Sequence, residues 1–209
     1  MKRTILYLFI LTATQPCVAQ KATEMKTNEK FNYEYYRQAI GRDNIDGRVF
    51  RERDSSWIRV FINRNSDCVY KVIPLSFAIE VKLYHKNHIL KKEGPFFYCS
   101  TIKNGIWREY DEEGNLIKET DEDEKFKDLK VKPHTLLDWF EKQGWIDRST
   151  GKGQQEDFVT PFSISFAPRD KKFPARWLVI RHTMPGTEDF LINAETGEII
   201  SHEVVLKEK

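Results

Sequence analysis

An α+β fold is the class the sequence predicts: an N-terminal helix with an antiparallel β meander, followed by a second helix packed on its own antiparallel sheet. Three observations lead there. Apolar residues recur at helical spacing in two places, around Phe31 to Ile40 and around Leu136 to Phe140. Between Gly47 and Tyr84 the pattern changes to short β-rich runs with no helix-length stretch between them, which suits antiparallel neighbours and not crossover-linked parallel strands. Two acidic turns that end on glycine, Asp111-Glu112-Glu113-Gly114 and Ala194-Glu195-Thr196-Gly197, join strand-like runs as bulged hairpins do.

The first residues address the compartment. Lys2 and Arg3 precede an apolar run, Ile5 to Leu11, and Cys17-Val18-Ala19 sets small residues before Gln20, so residues 1–19 read as a cleaved secretory signal. The run is well short of the roughly 20 residues that span a bilayer, and no membrane anchor is expected after cleavage. Cys17 would suit a lipoprotein site, but Gln15 and Pro16 stand where such signals resemble one another in carrying small residues. A periplasmic or secreted protein is therefore expected. Removing the signal takes Lys2 and Arg3 and no acid, leaving 34 less 2 basic residues against 32 acidic, a net charge of zero. With both signs interspersed, nucleic acid is not an expected partner.

Taken in order, Phe31, Tyr35 and Ala39, with Tyr36 and Ile40 beside them, make one helical face that Asn28 can cap and Gly41 can stop. Strands are expected at Arg48–Arg51, Trp57–Ile62, Cys68–Ile73 and Phe77–Tyr84, punctuated by residues 63–67 and Pro74. The clearest hairpin is Asn104–Thr120, where Gly114 takes the left-handed conformation that closes the turn. Residues 120–132 divide the chain into a unit over 20–125 and another over 133–209. The second opens with a helix that Pro133 or Thr135 starts and Gly144 ends. Strands follow at Pro161–Phe166, Ala175–His182, Glu188–Asn193 and Glu198–Val205.

Cys68 and Cys99 survive processing, and in an oxidising compartment such a pair is expected to bridge, with two separately buried thiols as the alternative. With 30 residues between them, closure would contribute about 3–4 kcal/mol.

Tyr84, Leu90, Lys92 and Glu93 are echoed 26 residues later by Tyr110, Leu116, Lys118 and Glu119, in the same strand, turn, strand setting. At Gly105, Trp107, Tyr110, Gly114 and Leu116 the stretch resembles the MORN-like repeats of the YwqK antitoxin family, with Tyr84 to Gly94 as a degraded copy in which His88 replaces the turn glycine. That resemblance implies non-catalytic repeat hairpins in a family whose name suggests a toxin-neutralising role. The ending, Ile192, Asn193, Ala194, Thr196, Gly197 and Ile199, resembles the closing strand, turn and strand of a PepSY-type domain, with Asn193 where aspartate is more usual. This implies an extracytoplasmic binding or peptidase-inhibiting module.

No local signature of catalysis is present: no G-x-S-x-G, no phosphate-cradling glycine loop and no H-E-x-x-H. No catalytic, cofactor-binding or metal-ligating residue is nominated, and no cofactor is expected. His85 and His88 are spaced for a metal on a helix but sit in a turn, and Asp121 to Glu124 lacks the glycine and spacing of a calcium loop. Acid pairs such as Glu109 with Asp111, or Glu195 with Glu198, have no readable separation. The expected activity is non-catalytic binding of an extracytoplasmic protein or peptide, a toxin or peptidase in the sharper form. Aromatic anchors are sought among Trp57, Trp107, Tyr110, Trp139, Trp145 and Trp177, and the interface candidates are Trp107, Tyr110, Glu112 and Glu113 on the central hairpin. The rival expectations are an envelope structural or carbohydrate-binding module, and a hydrolase with an unrecognised site.

Overall fold

Among the described residues, two α-helices, a seven-stranded antiparallel sheet and a four-stranded antiparallel sheet make an α+β fold in which strands predominate. The computed structural model describes residues 25–40, 48–63, 66–154, 158–184 and 186–206, so the expected signal over residues 1–19 and the expected stop at Gly41 lie outside the described residues.

Helix α1 (Tyr33–Ile40) begins at Asn32, whose side-chain oxygen accepts the Tyr35 N–H at 3.0 Å. The cap is thus Asn32, while Asn28 stays in the extended lead-in. Phe31, just before the cap, stacks on Tyr36 with ring centroids 5.0 Å apart, a staple that fixes how the chain enters the helix. The packing face is therefore Phe31, Tyr36 and Ile40; Tyr35 and Ala39 are exposed, and the Tyr35 hydroxyl donates to Glu52 at 2.8 Å.

Strands β1 (Arg48–Arg51), β2 (Trp57–Ile62), β3 (Asp67–Val72), β4 (Ala78–Tyr84), β5 (Leu90–Phe97), β6 (Ile106–Tyr110) and β7 (Leu116–Asp121) each pair with the next, the meander expected from runs with no helix between them. Hairpins β4–β5 and β6–β7 are built alike. Each shifts register just before its tyrosine, opposes Tyr84 to Leu90 or Tyr110 to Leu116, and closes on a left-handed residue, His88 at φ 68° or Gly114 at φ 85°. The lead-in strand ties both in the same way. Leu116 N–H donates to Met25 O and Thr27 N–H to Gly114 O; four residues on, Leu90 N–H donates to Glu29 O and Phe31 N–H to His88 O. The sequence period is thus a repeat of one hydrogen-bonded unit.

Side-chain alternation gives this sheet two apolar faces. One carries Ile58, Val60, Val69, Tyr84, Leu90 and Tyr110, covered by Phe31, Tyr36 and Ile40. The other carries Trp57, Phe61, Tyr70, Ile79, Phe96 and Trp107.

The acidic run becomes a 3-10 turn, Glu122–Phe126, in which the Asp121 side chain accepts from Asp123 N–H and Phe126 is buried. Helix α2 (Pro133–Lys142) starts on proline and ends at Gly144 with φ 69°, as its sequence requires. It packs Leu136 and Phe140 on strands β8 (Phe162–Ala167), β9 (Arg176–His182) and β10 (Gly186–Asn193). Strand β11 (Ile199–Leu206) closes the second sheet, ordered β11-β10-β9-β8. One core joins the two halves, because Phe77, Phe97, Tyr98 and Cys99 from the first pack with α2 and the second sheet, and Ile164 N–H donates to Cys99 O at 3.3 Å.

The expected disulfide is not formed: Cys68 and Cys99 are both free and buried. Register explains why. Cys68 lies opposite Leu83 near one end of β4, whereas Cys99 follows Phe97, which lies opposite Ala78 at the other. Five residues of strand put them about 17 Å apart along the sheet, far beyond the roughly 7 Å that a disulfide tolerates between α-carbons.

Candidate functional site

The central hairpin is not an exposed aromatic surface. Trp107 is 2% exposed and Tyr110 5%, on opposite faces of β6, so both are core and neither serves as an interface anchor. Trp107 lies over Gly94, where an added Cβ would come within 2.5 Å of the indole, and its Nε1 donates to Pro95 O at 2.9 Å. The Tyr110 hydroxyl donates to Glu93 at 2.8 Å. Of the four candidates only Glu112 and Glu113 are exposed, at the turn. Trp177 is wholly buried, and Trp57, Trp139 and Trp145 are half-buried against the cores. The histidines are structural: His85 Nε2 bonds Tyr110 O and His88 Nδ1 bonds the buried Asp67, each at 2.9 Å, and no cluster of three metal-ligating side chains occurs among the described residues.

Among the described residues a concavity lies instead where the second apolar face of the large sheet meets β8. It holds about 500 Å³, within the range of small-molecule and peptide pockets. Strand alternation builds its floor, since Arg59 and Phe61 project from the same side of β2, Tyr70 is opposite Arg59 on β3, and Ile79 and Phe96 are opposite each other on β4 and β5. Phe158, Phe162 and Ile164 form the facing wall, with Ser100, Thr101, Thr160 and Ser163 at hand as hydroxyl groups.

Arg59 is the single charged side chain in that lining among the described residues. Its guanidinium carbon sits 4.4 Å from the Phe158 ring centroid, a cation–π contact, and its Nε is buried with no hydrogen-bond acceptor among the described residues. A buried guanidinium N–H without an acceptor is costly, and an anionic group entering the cleft would satisfy it. Burial pushes the Tyr70 phenol up to about 12 with help from its hydrogen bond with Cys68, and burial likewise pushes the Cys99 thiol up to about 12. At neutral pH both are protonated, so they present donors and apolar surface and no thiolate nucleophile.

Backbone strain marks the same place. Cys99 at φ 49° and Phe158 at φ 57° both line the cleft in the left-handed region, which bulky residues rarely occupy. At the rim, Ser163 Oγ lies 2.9 Å from His182 Nε2, and both residues are exposed.

Sequence reasoning passed over Arg59. It reads there as the solvent side of an alternating strand, although its same-side neighbours Trp57 and Phe61 were a signal that this side is neither ordinary surface nor ordinary core. No helix among the described residues is long and apolar enough to cross a membrane. The chain matches no family model, no curated protein and no solved structure.

Proposed function

We propose that the chain is an extracytoplasmic, non-catalytic binding protein whose cleft takes an apolar or aromatic segment of a protein or peptide bearing one carboxylate. The observation that carries this reading is the Arg59 guanidinium, the one charged group among the described residues of the cleft, set among Phe61, Tyr70, Phe96 and Phe158. Rings supply apolar area, the arginine supplies orientation and charge selection, and the hydroxyl groups satisfy backbone polar groups of the segment. The sequence resemblance to MORN-like repeats and to a PepSY-type ending supports the sharper form, neutralisation of a toxin or a peptidase by capture of an exposed segment.

The test is affinity capture from the organism's own envelope and secreted proteins with the chain from Gln20 to Lys209, beside the Arg59→Gln and Phe158→Ala variants. One stoichiometric partner, lost by both variants while their melting curves stay near wild type, is the expected result. A partner retained by both variants, or no partner at all, overturns the reading. A hydrolase has one observation in its favour, the Ser163–His182 contact. Labelling of Ser163 by a fluorophosphonate, lost in His182→Ala, would replace binding by catalysis as the function. A carbohydrate platform based on Trp107 loses its support, because the buried indole offers no face to a sugar.

A further inference from the structure

The large sheet and the second sheet leave four strand edges, and three are blunted. Edge β1 carries Arg48 and Arg51; β7 is capped by the lead-in at Leu116 and carries Lys118 and Glu119; β8 receives the Cys99 loop. Edge β11 is covered by no other segment among the described residues, and its one acid is Glu203. All eight of its residues are exposed, and it holds no lysine, arginine, proline or glycine. Ile200, Val204 and Leu206 are 49%, 60% and 64% exposed. An unguarded apolar edge of this kind pairs with another strand.

We propose that β11 pairs antiparallel with β11 of a second copy, about a two-fold axis at His202, joining two four-stranded sheets into one. Two independent features select that register. The first is hydrogen-bond phase. Thr183 donates to Gly186 O at 2.8 Å, so Gly186 and every second residue after it on β10 bond β9. Thr187, Asp189 and Leu191 then bond β11 at Val205, Glu203 and Ser201, which leaves the N–H and C=O groups of Ile200, His202, Val204 and Leu206 aimed off the edge. An axis through His202 opposes outward-bonding residues to one another, with about six backbone hydrogen bonds over the central ladder.

The second feature is the side-chain pattern, which is self-complementary about the same residue. Ile200 meets the partner's Val204 twice on the α2 side of the sheet, and Ser201 meets the partner's Glu203 twice on the other. Centring on Glu203 would place two carboxylates opposite each other, which is destabilising. His202 stacks on Phe190 with centroids 4.2 Å apart, so its ring is held back on the core. The cleft stays open in the dimer, because it is lined by β8 on the far edge of that sheet.

The test is sedimentation velocity and light scattering of the chain from Gln20 to Lys209 over about 1 to 100 µM, the range in which a modest interface shows itself. A doubling of mass across that range is expected. Val204→Lys should weaken association at least tenfold with an unchanged far-UV spectrum and melting curve. His202→Cys should oxidise to a covalent dimer, since directly opposed, hydrogen-bonded α-carbons lie about 5.5 Å apart, whereas Ser201→Cys should not. A monomer at the highest concentration, a dimer indifferent to Val204→Lys, or equal cross-linking through Ser201→Cys would each overturn the proposal; a monomer would leave β11 as an edge for a strand from another protein.

Discussion

Substituting Gly94 by alanine tests the identification of Trp107 as core. The added Cβ would stand 2.5, 2.6 and 2.7 Å from three atoms of the indole, where ordinary contact begins at 3.4 Å, so the ring must retreat by about 1 Å. The Nε1–Pro95 O hydrogen bond at 2.9 Å is lost in that retreat. Overpacking of this size costs about 1–3 kcal/mol and the hydrogen bond about 1 kcal/mol. The smaller entropy of the unfolded alanine chain returns about 0.4–1 kcal/mol. The net loss is about 2–3 kcal/mol, or about 5–10 °C in melting temperature for a chain of this length. Urea and thermal unfolding read it, and a double-mutant cycle with Trp107→Leu isolates the contact. Trp107→Leu alone should cost about 2–4 kcal/mol, and Gly94→Ala added to it clearly less than Gly94→Ala costs alone, because the obstacle has gone and only the strain of the positive φ at Gly94 remains. If the two substitutions add to within about 0.5 kcal/mol, the indole does not lie over Gly94 and the reasoning fails.

Both thiols should be free and slow to react. Burial raises the Cys68 and Cys99 thiol pKa values, so an aromatic disulfide reagent should titrate none at pH 7.5 in the native chain from Gln20 to Lys209 and both in denaturant; no thiol in denaturant would restore the disulfide. Gly114→Ala should cost about 1–2 kcal/mol from its left-handed φ alone, and more because the new Cβ would lie 2.3 Å from Thr27 O. Urea unfolding within about 0.5 kcal/mol of wild type would argue against the lead-in clamp. Asp111 accepts from the Asn115 side chain and from the turn's backbone N–H groups, which holds its carboxyl below the usual range. A lowered folded pKa stabilises above the unfolded value and is lost as pH falls through the folded one. The gap in urea midpoint between wild type and Asp111→Ala should therefore be full at pH 6 and narrow toward pH 2.5, and a gap that widens on acidification would refute the assignment.

Much of the fold was legible because it is written in local chemistry. Strand-length runs without intervening helices gave the meander, Pro133 and Gly144 bounded α2, and the Tyr110–Gly114–Leu116 spacing gave a hairpin whose weaker copy ends on a left-handed His88. Local chemistry also misled. Asn28 is as good a cap as Asn32, and only the stacking of Phe31 on Tyr36 decides between them. Burial of Trp107 depends on Gly94, which is adjacent across strands and distant in sequence. The pairing of Cys68 with Cys99 failed for a reason of register along β4, which cysteine counting does not contain.

The cleft was illegible for a related reason: it belongs to the join between two units. The lead-in strand and α1 seal one face of the large sheet, so that Tyr84 and Tyr110 end in hydrogen bonds to Glu29 and Glu93 and offer nothing to a ligand. The opposite face is sealed at β6 by Trp107 and at the far end by the Cys99 loop, which turns toward β8. Between those two closures, the side of β2 and β3 bearing Arg59 and Tyr70 faces Phe158 and, across the cleft, Phe162 and Ile164. A guanidinium there raises the cost of leaving the gap empty and also of filling it with apolar side chains. Replacing Arg59 by leucine should accordingly stabilise the protein or leave it unchanged, since it removes a buried donor that has no acceptor among the described residues, while abolishing capture of a carboxylate-bearing segment. A stability loss of about 2 kcal/mol or more in Arg59→Leu would mean that the arginine is a structural group with a partner in the fold, and the site would have to be sought elsewhere.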